Sequence, residues 1–223
     1  MGEATTGQTS SPIRVGTAID GLVTELIEVG RRAVASGYVL ASGGNLSARL
    51  PGSDRFVVTG GGTWLDRLTP EDFTIMSFDG DVVDGMATPS SEWKLHQRTY
   101  LARPDAGSVI HLHPEHAVLL DALGYPIRLI TLDHVVYVGS IASVPFQPNG
   151  SDELADTAAD ASRDHDCVIL AHHGCSVVGE DVAMAFRRAM NLEHAAIATY
   201  RALTLGNTDL TFPADRLPAA GHA

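Results

Sequence analysis

The sequence predicts a single α/β domain built on a central, mostly antiparallel sheet flanked by helices. Three observations predict it. Of 223 residues, 44 % are hydrophobic and 19 % charged, a globular balance with enough apolar material for one sizeable core. Short apolar and β-branched runs follow one another between turn residues, the pattern of adjacent strands. Segments of helical period are interspersed among them, which sets helices on the faces of such a sheet.

In chain order, residues 1–12 are small and polar and are expected to form a disordered leader to a domain spanning 13–212. Apolar Ile19, Leu22, Val23, Leu26, Ile27, Val29 and Val34 predict an amphipathic helix over 17–36, closed by Gly37. Strands are expected at 46–50, 56–59 and 73–78, the last followed by the turn pair Asp79-Gly80. Ser90 is expected to cap a helix that ends before Pro104. A strand at 108–113 and a short helix at 115–123, closed by Gly124, come next. Three short strands are expected at 127–131, 135–138 and 141–144, then a helix at 152–162 and a buried strand at 167–171. Residues 176–178 pair back after a turn at Gly174, and a long helix runs over 181–205, with Val182, Ala185, Phe186, Ala189, Leu192, Ala196 and Tyr200 on one face. Residues 213–223 read as a flexible tail.

Composition then excludes whole classes of function. Fifteen Lys+Arg against 27 Asp+Glu give a net charge of −12, and no basic stripe is present to bind nucleic acid. No apolar run is long enough to span a membrane, and no signal segment opens the chain, so a soluble, cytoplasmic protein is expected. Two cysteines, Cys167 and Cys175, are too few for a disulfide scaffold and suit a reducing compartment. Lys94 is the only lysine, which leaves one candidate amine for a Schiff base and none for a Walker-type phosphate loop. Histidine is plentiful by contrast, at ten residues, and clusters at His111, His113 and His116, at His134, and at His172-His173.

The sharpest signal is His111-Leu112-His113 in a strand. Residues two apart share a face, so both rings can grip one metal ion, or both can lie on a solvated face. His172-His173-Gly174 ends an apolar strand, where a histidine either points into a cleft or is satisfied by a turn. Glu92 in Pro89-Ser90-Ser91-Glu92 stands at a helix start, where the dipole favours a carboxylate whatever its function. Ser42-Gly43-Gly44-Asn45-Leu46-Ser47 and Thr59-Gly60-Gly61-Gly62-Thr63 offer backbone N–H groups to an anion, or are simply tight turns. His116 reads as structural or as a support for its neighbours, and Trp64 as a packed ring near the glycine loop.

Together these segments resemble the class II aldolase/adducin family, typified by fuculose phosphate aldolase. The resemblance rests on Ser42-Gly-Gly-Asn-Leu-Ser-Ala-Arg49, Val58-Thr-Gly60, Pro89-Ser-Ser-Glu92, Arg103-Pro-Asp105 leading to His111-Leu-His113, and His172-His-Gly174. They stand in the family's order and span about 17–206. The resemblance implies a three-layer α/β/α domain, a homotetramer with active sites between subunits, and a divalent metal. That metal is zinc in the typical aldolases, and manganese or cobalt would suit the same ligands. It implies His111, His113, His173 and Glu92 as metal ligands, with Glu92 also the catalytic base. Gly44, Asn45, Thr59, Gly60, Ser90 and Ser91 match the segments that hold a substrate phosphate, so a phosphorylated small-molecule substrate is implied.

The implied activity is that of a lyase: aldol cleavage or formation of a C–C bond in a phosphorylated ketose or similar hydroxy-ketone through a metal-stabilised enediolate. One departure bears on it. The tyrosine with which the sugar-phosphate aldolases protonate the aldehyde oxygen has no counterpart in Pro126-Ile-Arg-Leu-Ile-Thr-Leu-Asp-His134. Asp133, His134 and Tyr137 are the candidate replacements. A decarboxylase of a 3-oxo sugar acid phosphate or of a dihydroxy-aromatic acid is the alternative, because it needs no such acid. Epimerase, dehydratase and non-catalytic interaction module follow behind it.

Overall fold

A computed structural model describes residues 15–213. The expected leader at 1–12 and the tail beyond Pro213 lie outside the described residues. The chain forms α1 (Val15–Ala35), β1 (Asn45–Arg49), β2 (Arg55–Thr59), β3 (Phe73–Ser77), β4 (Val82–Gly85), α2 (Trp93–Ala102), β5 (Ser108–Leu112) and α3 (Glu115–Ala122). A π-helical turn at His134–Val138 precedes β6 (Ile141–Val144), α4 (Asp152–Ser162), β7 (Cys167–Leu170), β8 (Gly174–Gly179) and α5 (Val182–Thr204). The eight strands make one sheet in the order β4-β3-β2-β1-β5-β8-β7-β6. Every neighbouring pair is antiparallel except β6 and β7, which α4 joins as a parallel crossover.

Strand alternation sorts the layers. On one face Leu46, Ala48, Ile110, Leu112, Ile169 and Val177 pack with Leu26, Leu120, Phe186 and Leu192 of α1, α3 and α5. On the other, Phe56, Val58, Val109 and Val178 pack with Tyr100 of α2, and Val168 and Leu170 pack with Leu95 of α2 and Leu154 of α4. The period of two therefore turns Asn45 and Ser47 of β1, and His111 of β5, towards α2. The β1–β5 register sets Asn45 opposite His111, so these polar residues gather at one end of the sheet.

Three expectations are corrected. Residues 127–131 form no strand, and 134–138 wind into a π-helical turn. The cause is local: the His134 Nδ1 accepts the N–H groups of Ile130 and Thr131, and the Thr131 hydroxyl oxygen accepts the His134 N–H. These bonds replace a strand ladder with side chain-to-backbone bonds. A strand not expected, β4, occupies the sheet edge with all four residues exposed.

Glu193 ties α5 to α3. It is buried at 3 % exposure, and its carboxylate accepts the N–H groups of His116 and Ala117, each at 3.0 Å, and the His116 ring Nδ1–H at 2.8 Å. A negative charge at the first turn of α3 satisfies amides that the helix itself cannot. Glu193→Ala is expected to cost about 2 to 4 kcal/mol by stranding these donors, read as a lower denaturant midpoint. An unchanged midpoint would show that the α3 N-terminus does not depend on this carboxylate.

Candidate active site

One end of the sheet collects the residues that the sequence marks out. β5 supplies His111, and His113 follows it by two residues, on the same side. The β7–β8 turn supplies His173. There His172 adopts φ +58°, and Gly174 opens β8 where a Cβ would stand 2.4 Å from the Leu112 carbonyl oxygen and 2.7 Å from the His113 ring. Glu92 is expected in the first turn of a helix begun at Ser90, but it occupies the N-cap position of α2, one residue ahead of that turn. Ser90 shapes this entry, its hydroxyl oxygen accepting the Glu92 N–H at 3.3 Å and its carbonyl the Trp93 N–H at 3.1 Å.

The four side chains converge. His111 Nε2 lies 3.0 Å from both His113 Nε2 and Glu92 Oε2, and His173 Nε2 lies 3.4 Å from Glu92 Oε1. One ring nitrogen of each histidine falls within 4.8 Å of the others. His111 is fully buried and its Nδ1–H donates to the Cys175 carbonyl at 2.9 Å. That bond orients the ring so that Nε2 faces its partners.

Electrostatics favours an ionised Glu92 and neutral His113 and His173 rings. Burial alone would raise the pKa of Glu92, but the His111 and His173 rings and the Asn45 amide outweigh it and hold the carboxyl well below the usual carboxylate range. Burial, reinforced by His111 and His173, pushes His113 down to about 4. Burial and then His111 also lower His173. At neutral pH the rings of His113 and His173 therefore keep free lone pairs beside a carboxylate.

Glu92, His113 and His173 line a pocket of about 100 Å³ whose other walls are Ser42, Gly43, Gly44, Asn45, Gly60, Gly62, Thr63, Ser90, Ser91 and Asn149. No lining residue is cationic, so N–H and O–H donors would have to hold an anion there. Part of the glycine loop is already engaged: the Gly60 N–H donates to the Asp72 carbonyl at 2.7 Å and the Gly61 N–H to Thr88 at 3.0 Å. Thr59 lies outside the lining, buried, with its hydroxyl oxygen accepting the Leu46 N–H. Asn45 lines the pocket, but its side-chain amide is taken up by Glu92 and His96.

The candidate acids are not brought to this pocket. His134 is buried against His194, with 2.8 Å between His134 Nε2 and His194 Nδ1. Tyr137 lies under the Arg187 guanidinium, 5.1 Å from ring centroid to Cζ, and Asp133 is exposed beside His134. His116 is held by Glu193, in the supporting role expected of it. Trp64 stacks with Arg67 and stays 44 % exposed, so it is neither a packed ring nor a wall of the pocket. Two supporting residues are absent from the sequence reading, Glu193 and His96, and their only signal is a polar residue within a helix face that is otherwise buried.

A profile of the class II aldolase and adducin N-terminal domain matches residues 24–200. The chain belongs to the class II aldolase and adducin family. It is 32 % identical over 178 residues to the L-fuculose phosphate aldolase of Methanococcus maripaludis, across 80 % of this chain and 96 % of that one. It is 29 % identical over 176 residues to the 3-oxo-tetronate 4-phosphate decarboxylase of Haemophilus influenzae, across 77 % and 83 %. A solved structure of L-fuculose 1-phosphate aldolase matches the fold with a TM-score of 0.80 at 28 % identity, over 89 % of this chain and 91 % of that one.

Class II aldolases of this family are metal-dependent, and the donor set here fits a divalent cation. Glu92 Oε1 is buried without a hydrogen-bond partner, a costly state for a carboxylate oxygen that a cation among the three rings would relieve. Three imidazole nitrogens and one carboxylate oxygen are donors that a divalent cation accepts. No described helix is long and apolar enough to cross a membrane.

Two outcomes are expected. Gly174→Ala should lower affinity for the cation by about tenfold or more, because a Cβ there forces the His173 turn away from His113. Full metal content after dialysis would contradict that. The cation-free protein should be most stable above pH 6.5 and should weaken as the pH falls towards 4. The sign follows because the unfolded chain takes up protons that native His96 and His113 refuse. For His96, which burial and then His111 push down to about 3, the slope reaches about 1.4 kcal/mol per pH unit. Denaturant midpoints at about pH 7.5 and about pH 5 measure the effect, and equal midpoints would refute it.

Proposed function

We propose that this chain is a metal-dependent aldolase-type lyase that makes or breaks a carbon–carbon bond in a phosphorylated ketose or a similar hydroxy-ketone. The observation that carries the reading is the convergence of three imidazoles on a buried, ionised Glu92 with one oxygen unpartnered, beside a small glycine- and serine-walled pocket. His111, His113, His173 and Glu92 would hold the cation. When bound, it would act as a Lewis acid on the substrate's carbonyl and hydroxyl oxygens. We take it to be zinc, with manganese and cobalt suited to the same donors.

The chain's own groups supply the rest. Glu92, kept ionised by its neighbours and a displaceable ligand of the cation, removes the proton from the carbon beside the carbonyl, with Oε2 steadied by Asn45. The substrate's phosphate lies along Gly44, Asn45, Gly60, Ser90 and Ser91, in which the Ser90 and Ser91 hydroxyls and uncommitted amides donate and the other residues shape the wall, with Thr59 behind it holding the Leu46 N–H. Two free, buried cysteines support a cytoplasmic setting. Exposed Tyr125, Leu132, Val136 and Phe146 support assembly into a homotetramer that completes each site.

The second reading is decarboxylation of a 3-oxo sugar acid phosphate, favoured by the absence of Asp133, His134 and Tyr137 from the pocket and by the likeness to a decarboxylase. Proton exchange separates the two. Metal-loaded protein is incubated with dihydroxyacetone phosphate in heavy water, and the hydroxymethyl protons are followed by NMR. Stereospecific loss of that signal, absent in Glu92→Gln, is the expected result. No exchange in protein shown to carry its metal would overturn the aldolase reading and direct the assay to carbon dioxide release.

A further inference from the structure

Behind Glu92, away from the pocket, runs a chain of buried polar side chains whose hydrogens can be directed one by one. The Asn45 Nδ2–H donates to Glu92 Oε2 at 2.9 Å. His96 Nε2 is hydrogen-bonded to Asn45 Oδ1, and since an amide oxygen only accepts, Nε2 carries the hydrogen. His96 is fully buried and neutral, so its Nδ1 is left as an acceptor. The Ser47 hydroxyl, 2.7 Å away, donates to it. The Ser47 oxygen in turn accepts the Tyr100 phenol, also at 2.7 Å. Turning the Asn45 amide over would set its oxygen against an ionised carboxylate oxygen, so the opposite sense is excluded.

Two elements build this chain. Asn45 and Ser47 alternate on the α2 face of β1, and His96 and Tyr100 lie one helical turn apart on α2. All four are at most 4 % exposed. Apolar residues could fill this layer at no desolvation cost, whereas four buried polar groups are tolerable only when every one is partnered.

The geometry points to His96 as the positioning residue of the catalytic carboxylate: its Nε2–H locks the Asn45 amide with the NH2 group towards Glu92, which fixes Oε2 and leaves Oε1 without a hydrogen bond of its own. The inference rests on the reading of Glu92 as ligand and base, and its test separates the two.

The test is a mutant cycle on zinc affinity, measured by competition with a chromogenic chelator in full-length protein, which needs no substrate. His96→Leu and Asn45→Ala are each expected to lose about tenfold or more in affinity, and the double variant to be no worse than Asn45→Ala alone. His96→Gln, which carries an amide N–H to the place of Nε2, is expected to recover most of the loss. His96→Asn, which reaches only the place of Nδ1, is not. Additive losses in the cycle, wild-type affinity in folded His96→Leu, or equal behaviour of the Gln and Asn variants would each overturn the assignment. If His96→Leu does not fold, the Gln and Asn pair decides alone. Glu92→Gln runs alongside: wild-type zinc affinity there would remove Glu92 as ligand and retained proton exchange would remove it as base, whereas a zinc loss in Glu92→Gln that is missing from His96→Leu would overturn the His96–Asn45 link alone.

Discussion

An ionised carboxylate at 4 % exposure is the constraint around which this end of the molecule is organised. Glu92 can remain charged out of water only if positive ends of dipoles or cations meet it from several sides. β5 provides the His111 ring, the β7–β8 turn the His173 ring, and β1 the Asn45 amide. These strands adjoin one another in the sheet, and the antiparallel register sets Asn45 directly opposite His111. Asn45 and His111 are therefore held by the ladder itself, and His173 by the tight turn that joins two of its strands. Gly174 completes the arrangement, since only a residue without a Cβ lets β8 begin so close to Leu112 and the His113 ring. One carboxylate oxygen is left without a hydrogen-bond partner, and that residual need suits the cluster to a cation.

Most of the fold was legible because its elements bury one face. The apolar spacings of α1 and α5 and the compact β-branched runs of β2, β5 and β7 are direct signatures of contact with a core. β4 escaped because it buries neither face: Val82 and Val83 are more than 40 % exposed, so no alternation marks the strand. The segment 127–138 misled for the opposite reason. Its β-branched residues carry strand propensity, but the His134 ring captures two backbone N–H groups and closes a π-helical turn. A single side chain-to-backbone clasp outweighs a weak strand preference at this position.

The site divides along the same line between near and distant information. His111 and His113 were readable from strand period alone as a pair sharing a face. Adding His173 and Glu92 as ligands took the order of motifs along the whole chain, because strand period alone does not bring the β7–β8 turn against the start of α2. Glu193 and His96 stayed hidden because each is a polar residue within a helix face that packs inward, indistinguishable from a solvated position until its partner 50 to 80 residues away is known. Asn45 was legible as a site residue, but not the direction of its amide, which depends on the His96 tautomer.

What the chain holds and what it leaves open also define its chemistry. Removing a proton beside a carbonyl and losing carbon dioxide both make the same demand, negative charge generated next to an oxygen that a cation can polarise. The three imidazoles, Glu92 and the glycine-walled pocket meet that demand for either reaction. The reactions part afterwards, at the group that returns a proton, and here His134 is bonded to His194 and Tyr137 is covered by Arg187, both on α5. Among the lining residues Asn45, Thr63 and Asn149 are neither donors to the cation nor part of the glycine and serine walls, and of these Asn149 is exposed, on the loop before α4. On the proposed function, aldol cleavage and decarboxylation share the donor set and the pocket walls and divide at the group that returns the proton. The buried chain from Tyr100 to Glu92 serves both alike.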